Sequence, residues 1–271
     1  MVLADVWGVV HDGQRAYAGA GAAFARFRAG GGTVLLLSNA PMPAPWVAQV
    51  LDQKGVRRDS WDAIVSSGDI TLAHVAAEGY ARIHHIGPPR DQPLLDAMTA
   101  ELVDLDEAEA VVCTGLVDDR RETAADYHPR LSRALAGALP LVCANPDLVV
   151  DVGGDLLPCA GVIAGAYEAL GGSVYWAGKP HAPAYAMAMA TVARLRGVAP
   201  DLGRVLAIGD AVRTDIAGAH RFGLASLFIG QGIHRHEVMR DGRIWRDGLA
   251  RLLARDCPAG RPLAAMVGVA W

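Results

Sequence analysis

Residues 2–5 read VLAD, so that three apolar residues lead directly into the carboxylate of Asp5. A short apolar run of this kind predicts a strand buried on both faces, as in a parallel sheet. Two further runs have the same form. Residues 33–37, TVLLL, end at Ser38, and residues 205–208, VLAI, are followed by Gly209 and Asp210. Polar residues thus follow three predicted strands that are far apart in the sequence.

Helix-like and strand-like segments alternate around these runs. Residues 20–29 predict a helix that is stopped by three glycines, and residues 69–78 and 216–222 predict two more. Residues 63–65 and 224–229 predict additional short strands. Such alternation predicts an α/β fold in which a Rossmann-like parallel sheet carries helices on both faces.

The middle of the chain contains a second set of strand and helix patterns. Residues 83–86, 110–114 and 139–144 predict strands, whereas residues 92–102 and 130–137 predict helices. This is enough for a smaller inserted α/β domain. We therefore predict three segments: a first part of the core at 1–81, the insert at 82–177 and a second part of the core at 178–271.

Composition excludes several classes of partner. The 271-residue chain has a formal net charge of -4, whereas binding to a phosphate backbone needs a basic face, so nucleic acid is not expected. No apolar run reaches the roughly 20 residues of a membrane helix, and no signal peptide is evident. The four cysteines form no CxxC pair. We expect a cytoplasmic protein with free thiols and no membrane partner.

The polar strand ends predict a site for phosphoryl transfer. Ligands of open parallel sheets bind outside the carboxyl ends of the strands, so Asp5, Ser38 and Asp210 are expected to converge. A carboxylate can attack phosphorus and form an aspartyl phosphate, and carboxylates that repel each other favour Mg²⁺. Ser38 and the backbone N–H groups after it can hold phosphate oxygens. Lys179 can offset the charge on the transferring group.

Four motifs resemble those of the haloacid dehalogenase superfamily, and they occur in the family's order. Residues 5–10, DVWGVV, resemble the first motif, Asp-x-Asp-Gly followed by apolar residues. Residues 37–39, LSN, resemble the second, and Lys179 resembles the third. Residues 209–215, GDAVRTD, resemble the fourth, Gly-Asp-x-x-x-Thr-Asp. Each motif alone is weak evidence, but four in order across nearly the whole chain form a specific pattern.

The insert at 82–177 is similar to the C2-type cap of the class IIA branch of that superfamily. The branch includes enzymes that resemble nitrophenyl, sugar and pyridoxal-phosphate phosphatases. Residues 145–147, NPD, and 158–161, PCAG, resemble its cap-to-core signature, although the family pattern is closer to Pro-Gly-x-Gly. The resemblance implies hydrolysis of a small-molecule phosphate monoester, and it allows a homodimer through the cap.

The resemblance also implies a role for each motif residue. Asp5 would be the nucleophile and a ligand of Mg²⁺, with the backbone carbonyl of Trp7 and the carboxylate of Asp210 as further ligands. Asp215 would act on the metal from behind these ligands or through water. The groups that bind the substrate's phosphoryl group would be those of Ser38, Asn39 and Lys179.

Trp7 departs from the first motif. Family phosphatases carry a second Asp at this position, which protonates the leaving oxygen and later activates water. An indole can do neither, and general acid–base catalysis typically contributes about 10²- to 10⁴-fold. We therefore predict a preference for esters with good leaving groups, such as aryl phosphates, or a substitute acid, for which His11 and Asp12 are candidates.

Two other functions stay open at this level. Trp7 also fits a phosphate-ligand binding or regulatory protein that has lost efficient turnover. A carbon–halogen hydrolase needs no acid for its leaving group, because halide leaves unprotonated. The acidic pair Asp210 and Asp215 argues against that chemistry, since it needs no metal.

Overall fold

The computed structural model describes all residues from Met1 to Trp271. The chain divides into two compact units. The first comprises Met1–Ser38, Ala48–Val65 and Lys179–Trp271, and the second comprises Asn39–Val47 and Ser66–Gly178. The predicted insert, 82–177, falls within the second unit, which also takes in 39–47, 66–81 and Gly178 from the predicted core.

The units are built from strands and helices of ordinary length, and none of the helices has the length and apolar character that a membrane crossing requires. The strands are β1 (Val2–Ala4), β2 (Val34–Ser38), β3 (Ala63–Ser66), β4 (Arg82–Ile86), β5 (Glu101–Leu102), β6 (Ala110–Cys113), β7 (Leu141–Cys143), β8 (Val149–Val152), β9 (Asp155–Pro158), β10 (Val174–Trp176), β11 (Leu206–Gly209), β12 (Ala225–Ile229), β13 (Met239–Arg240), β14 (Arg243–Ile244) and β15 (Ala264–Met266). The α-helices are α1 (Ala18–Ala29), α2 (Ala44–Gln53), α3 (Ser67–Glu78), α4 (Gln92–Asp96), α5 (His128–Ala136), α6 (Ala160–Ala169), α7 (Ala182–Arg196), α8 (Ala217–Arg221), α9 (Arg235–Val238) and α10 (Arg246–Asp256).

The first unit contains a six-stranded sheet of order β15-β12-β11-β1-β2-β3. β1 lies between β11 and β2 and pairs with both in parallel, so that Ala4 is opposite Ile208 and Leu36. Every residue of β1 and β2 is buried, as expected for strands covered on both faces. The predicted α/β fold with a parallel sheet is confirmed, and the residues after β1, β2 and β11 lie at one carboxyl edge.

The predicted helix at 216–222 has a different form from the one expected. The chain first makes a π-helical turn, Val212–Ile216, and then the short helix α8. Within this wide turn the backbone N–H of Ala211 donates to Asp215 Oδ2 at 3.0 Å. Such turns are frequent at functional sites, and this one holds the side chain of Asp215.

The second unit contains a five-stranded sheet of order β10-β7-β6-β4-β5, in which neighbouring strands are parallel. The predicted helix at 92–102 is wrong in its second half, because α4 ends at Asp96 and the chain then forms β5. The backbone N–H of Glu101 donates to the carbonyl of Ala81 at 2.8 Å. Pairing with the neighbouring β4 thus outweighs the local helical preference of this segment.

Helix α3 begins at a capping box and starts two residues before the predicted helix at 69–78. The backbone N–H of Asp69 donates to Ser66 Oγ at 3.0 Å, and the backbone N–H of Ser66 donates to Asp69 Oδ2 at 2.9 Å. Ser66 is therefore the N-cap, with Asp69 as the third helical residue. The helix ends at Gly79, whose φ of 73° places it in the left-handed region.

Asp91 is a buried carboxyl in the second unit and predicts a pH-dependent stability. Burial raises its pKa to about 6, although a hydrogen bond from Thr114 and the charge of Arg90 act to lower it. Because this pKa is higher in the folded chain than in the unfolded chain, stability is lost as pH rises through 6. We expect Asp91→Asn to raise the free energy of unfolding by up to about 3 kcal/mol at pH 8, and to lose most of that gain by pH 4. Urea unfolding at both pH values measures this, and an equal effect at both would contradict it.

Candidate active site

Three carboxylates come together at the carboxyl edge of the first unit's sheet. Asp5 follows β1, Asp210 follows β11, and Asp215 lies in the π-helical turn beyond it. One oxygen of each lies within 4.8 Å of the others. Asp210 and Asp215 are each only 4% exposed. The fold thus concentrates three acidic groups in a buried place where water can do little to screen their repulsion.

Lys179 pairs with two of these carboxylates. Its Nζ donates to Asp5 Oδ1 at 2.5 Å and to Asp215 Oδ1 at 2.7 Å. Burial acts to lower the pKa of Lys179, but the charges of Asp215 and Asp5 outweigh it and raise the pKa above its ordinary value. The side chain therefore carries a fixed positive charge at neutral pH, next to the predicted nucleophile.

The donor set fits a hard divalent cation. With all three carboxylates ionised, the one ammonium would leave a net charge of -2 in this group. Burial, followed by the charges of Asp5 and Asp215, raises the pKa of Asp210 well above its ordinary value. A divalent cation would remove this repulsion, and Mg²⁺ prefers carboxylate and carbonyl oxygens.

Backbone groups that sequence reasoning missed hold Asp210 in place. The backbone N–H of Ile233 donates to Asp210 Oδ2 at 2.6 Å. A Cβ atom added at Gly232 would lie 1.9 Å from the same oxygen, and one added at Gly8 would lie 2.0 Å from it. Gly8 also has a φ of +81°, which other residues rarely adopt. Gly8 belongs to the first motif, but no motif marks the loop that contains Gly232 and Ile233.

The ring of Trp7 is directed towards the loop at 11–13. It meets the His11 ring edge-on at a centroid distance of 5.1 Å. A Cβ atom added at Gly13 would lie 2.4 Å from Trp7 Cζ2, so the indole packs directly on that glycine. The backbone beside Trp7, at Gly8, abuts the carboxylate of Asp210. The indole and the peptide of Trp7 therefore have separate surroundings, and its carbonyl as a metal ligand stays a prediction.

Neither candidate for the substitute acid holds a labile proton at neutral pH. The backbone N–H of Gly13 donates to His11 Nδ1 at 2.9 Å, which leaves the ring proton on Nε2. Burial and the charge of Lys54 lower the pKa of His11 to about 4. The backbone N–H of Arg15, above all, lowers the pKa of Asp12. The imidazole is neutral and the carboxylate is ionised, which argues against the hypothesis that either replaces the missing acid.

His11 predicts a loss of stability in mild acid. Its pKa of about 4 in the folded chain lies below the ordinary 6.5, so the unfolded chain binds the proton first as pH falls. Stability from this residue is present above pH 6.5 and lost as pH falls towards 4. Between pH 7 and pH 4, we expect the free energy of unfolding to fall by up to about 3 kcal/mol more in the wild type than in His11→Gln. Parallel pH slopes of the two proteins in denaturant titrations would exclude this effect.

Ser38 and Asn39 have different environments. Ser38 ends β2 and is 8% exposed, and the pairing of β2 with β1 places it at the same sheet edge as Asp5. Asn39 belongs to the second unit, where its Nδ2 donates to Asp147 Oδ1 at 2.9 Å and its Oδ1 accepts from Ser67 Oγ at 3.5 Å. The side-chain amide of Asn39 is thus engaged by neighbouring residues, and its contact with phosphate stays a prediction.

Comparisons with known proteins agree with the motifs. A family model described as haloacid dehalogenase-like hydrolase matches residues 2–101, and one described as HAD-hydrolase-like matches residues 176–254. No curated protein matches the chain. Two similar solved structures are a p-nitrophenyl phosphatase from Archaeoglobus fulgidus and a glycerol phosphate phosphatase from Mycobacterium tuberculosis in complex with calcium. The first is 20% identical (TM-score 0.74, 99% of this chain, 95% of that chain), and the second is 25% identical (TM-score 0.63, 86% and 66%).

A higher identity is found with a hydrolase of the haloacid dehalogenase-like family from Brucella suis 1330. The two chains are 41% identical, and their structures superpose with a TM-score of 0.85. The match covers 99% of this chain and 94% of that one. With an identity of this size over nearly the full length of both, the present chain belongs to the haloacid dehalogenase-like hydrolases.

Proposed function

We propose that this hydrolase cleaves small-molecule phosphate monoesters through an aspartyl phosphate on Asp5, with Mg²⁺ bound beside it. The observation that carries the proposal is the group of three carboxylates within 4.8 Å of one another, two of them paired with Lys179. Phosphoryl transfer depends mainly on positioning and on neutralising charge. A fixed cation, a partly exposed carboxylate nucleophile and a divalent-metal donor set meet both needs.

Four residues would hold the metal. Asp5, Asp210 and the carbonyl of Trp7 supply oxygens, and Asp215 acts from behind them or through water. When bound, the ion withdraws charge from the phosphoryl oxygens. The Mycobacterium tuberculosis phosphatase structure contains calcium, a cation that also takes oxygen ligands.

The chain's own residues account for the rest of the reaction. A carboxylate oxygen of Asp5 attacks phosphorus, and the bond from phosphorus to the ester oxygen breaks, with its electron pair leaving on that oxygen. Ser38 and the backbone N–H of Asn39 bind the transferring group, while Lys179 offsets its charge. Water then cleaves the aspartyl phosphate to release inorganic phosphate and restore Asp5.

The leaving group determines which esters are turned over quickly. An alkoxide needs a proton as it departs, whereas a phenolate departs readily without one. Trp7 supplies no proton, and neither His11 nor Asp12 has an acidic proton to donate at neutral pH. We therefore propose aryl phosphates and similarly activated esters as the preferred substrates.

Restoring the family acid tests this preference. We expect Trp7→Asp to raise kcat for an alkyl phosphate such as glycerol 3-phosphate by about 10²-fold, because the new carboxyl can protonate the alkoxide. Turnover of p-nitrophenyl phosphate should change far less. Trp7→Asn is the matched control, since it makes the same change of size without an acid. Equal rates for Trp7→Asp and Trp7→Asn on glycerol 3-phosphate would contradict the proposal that the missing acid at position 7 limits turnover of alkyl phosphates.

A phosphate-release screen separates the proposed function from its alternatives. Steady release from a panel of aryl and alkyl phosphates, dependent on Mg²⁺, is the expected result. A phosphate-binding or regulatory protein, which Trp7 also fits, would bind the panel without steady release. A carbon–halogen hydrolase would release halide from a haloacid, with no need for the metal.

The cellular location and the oligomeric state of the enzyme are also part of the proposal. Its four thiols are free and buried, as is usual in a reducing compartment, so we propose a cytoplasmic enzyme. We propose a homodimer as its assembly, on the family resemblance of the insert. Sedimentation at several protein concentrations would decide between monomer and dimer.

A further inference from the structure

The first unit contains an apolar cavity of about 320 Å³ that the proposed reaction does not use. Strands of the sheet supply one wall, with Leu206, Leu227 and Met266 among the lining residues. Helix α1 supplies another wall through Phe24 and Phe27, and Trp271 lies at the edge. Its polar lining is small, so this is a hydrophobic space rather than a solvent channel.

The cavity lies on a defined face of the sheet. Phe228 and Ala265 pack against the cluster formed by the π-helical turn and α10. Successive residues of a strand point to opposite faces, so Leu227 and Met266 point away from that cluster. They line the cavity on the other face, where α1 packs. The cavity therefore lies on the face of the sheet to which Leu227 of β12 and Met266 of β15 point.

The cavity extends along the sheet below the carboxylate group, and its lining reaches Ile208, two residues before Asp210. Val2, at the start of β1, lines the cavity, whereas Asp5 follows the other end of the same strand. A strand rises roughly 3.3 Å per residue, so the two places are about 10 Å apart along the chain.

Its volume fits a small ligand. Pockets for small molecules typically enclose about 300–1,000 Å³, and an apolar cavity of about 150 Å³ is already large enough to bind benzene. An apolar lining that faces open space lacks contact partners on that side. Apolar groups of a ligand would supply those contacts.

The edge of the cavity is cationic. Arg204 lines it and is exposed, and no carboxylate side chain belongs to the lining. The guanidinium of Arg26 lies 5.8 Å from the centre of the Trp271 ring. Met1 also lines the cavity, and its amino group donates to the carbonyl of Arg204 at 2.9 Å. An apolar interior with a positive edge is complementary to an anion that carries a hydrocarbon tail.

We propose that this cavity binds an apolar monoanion, a medium-chain carboxylate or a molecule of the same chemistry. The hydrocarbon lies against Phe24, Leu227 and Met266, and the carboxylate faces Arg204. The site is distinct from the phosphate-ester site and does not depend on the proposed phosphatase activity.

Decanoate is the probe that tests the proposal. Isothermal titration and the change in tryptophan fluorescence should report one decanoate bound per chain, with decanol as the uncharged ligand of the same length. Arg204→Gln removes the cation at an exposed position, and Leu227→Trp fills the cavity. Arg243→Gln, which removes an exposed arginine of β14, is the matched control.

The expected results distinguish the contribution of the Arg204 charge to binding from that of the cavity's volume. Arg204→Gln should weaken decanoate binding by roughly tenfold and leave decanol binding unchanged. Leu227→Trp should abolish both, while Arg243→Gln should match the wild type. Circular dichroism confirms that each variant is folded. Absence of decanoate binding in the wild type, or equal affinity in all variants, would overturn the proposal. So would a concentration-dependent dimer that Leu227→Trp disrupts without any decanoate binding, because a second copy would then cover this face.

Discussion

Asp5→Asn is expected to lower kcat for p-nitrophenyl phosphate by about four orders of magnitude or more, since the loss of a nucleophile removes the reaction path itself. An amide has nearly the size of the carboxylate but lacks the charge that attacks phosphorus. Lys179 keeps its 2.7 Å contact with Asp215, so the fold around it is expected to persist. Release of inorganic phosphate measures the effect.

Asp12→Asn is the matched control for this experiment. Asp12 is a second carboxylate of the same loop, and its Oδ1 accepts from backbone N–H groups at 2.8 and 2.9 Å rather than from Lys179. Its kcat should stay close to that of the wild type. Acid-quenched wild-type protein should also carry an alkali-labile phosphoryl group that Asp5→Asn lacks. Steady release by Asp5→Asn within tenfold of the wild type would exclude Asp5 as the nucleophile.

Removal of divalent metal should have an effect of comparable size. We expect chelation by EDTA to lower the rate by about 10³-fold and Mg²⁺ to restore it, because stabilisation of charge by a bound metal contributes several kcal/mol. Asp210→Asn removes one oxygen ligand. We expect it to raise the Mg²⁺ concentration for half-maximal activity by about 100-fold or more.

Thermal unfolding provides a readout of the metal site that does not depend on turnover. Mg²⁺ should raise the unfolding temperature of the wild type, since a ligand that binds only the folded chain stabilises it. Without metal, Asp210→Asn should be more stable than the wild type, because the like charges of Asp5 and Asp215 no longer face a third carboxylate. Addition of Mg²⁺ should then change the unfolding temperature of Asp210→Asn very little. A wild-type protein that is indifferent to Mg²⁺ would contradict the assignment of the donor set.

The Asp5→Asn variant and the metal experiments together discriminate among the functions that the sequence leaves open. A phosphate-binding protein would show the thermal effect of Mg²⁺ but no release for Asp5→Asn to abolish. A carbon–halogen hydrolase would lose activity in Asp5→Asn and be insensitive to EDTA. Only a metal-dependent phosphatase is expected to respond to both changes.

Sequence reasoning located the acidic and basic groups of the site because local patterns mark them. Apolar runs end at Asp5 and before Asp210, and Lys179 stands between glycine and proline. No local sequence pattern marks the contacts that determine the protonation states of these acidic and basic groups. The N–H of Ile233 that binds Asp210 comes from the loop after β12, a different strand end. Only packing brings these two segments together.

The same difference between local sequence patterns and tertiary contacts explains the predictions that are wrong. The composition of residues 92–102 predicts a helix through Leu102, but Glu101 and Leu102 pair with the edge of β4 as a strand. His11 was a reasonable candidate for an acid by residue type. Its burial and its hydrogen bond from Gly13 made it neutral, and neither is visible in the sequence. Ionisation depends on surroundings that distant segments supply.

The sequence by itself determined the parallel α/β architecture, the order of the motifs and the identity of the residues that carry charge at the strand ends. Those features are local: a run of apolar residues must be buried, and the polar residue after it is left at the edge of the sheet. The tertiary structure alone decided the pairing of Lys179 with two carboxylates, the neutral state of His11 and the apolar cavity behind β1. Each of these depends on which strands become neighbours and which face a helix covers, and that is fixed by contacts between residues far apart in the chain.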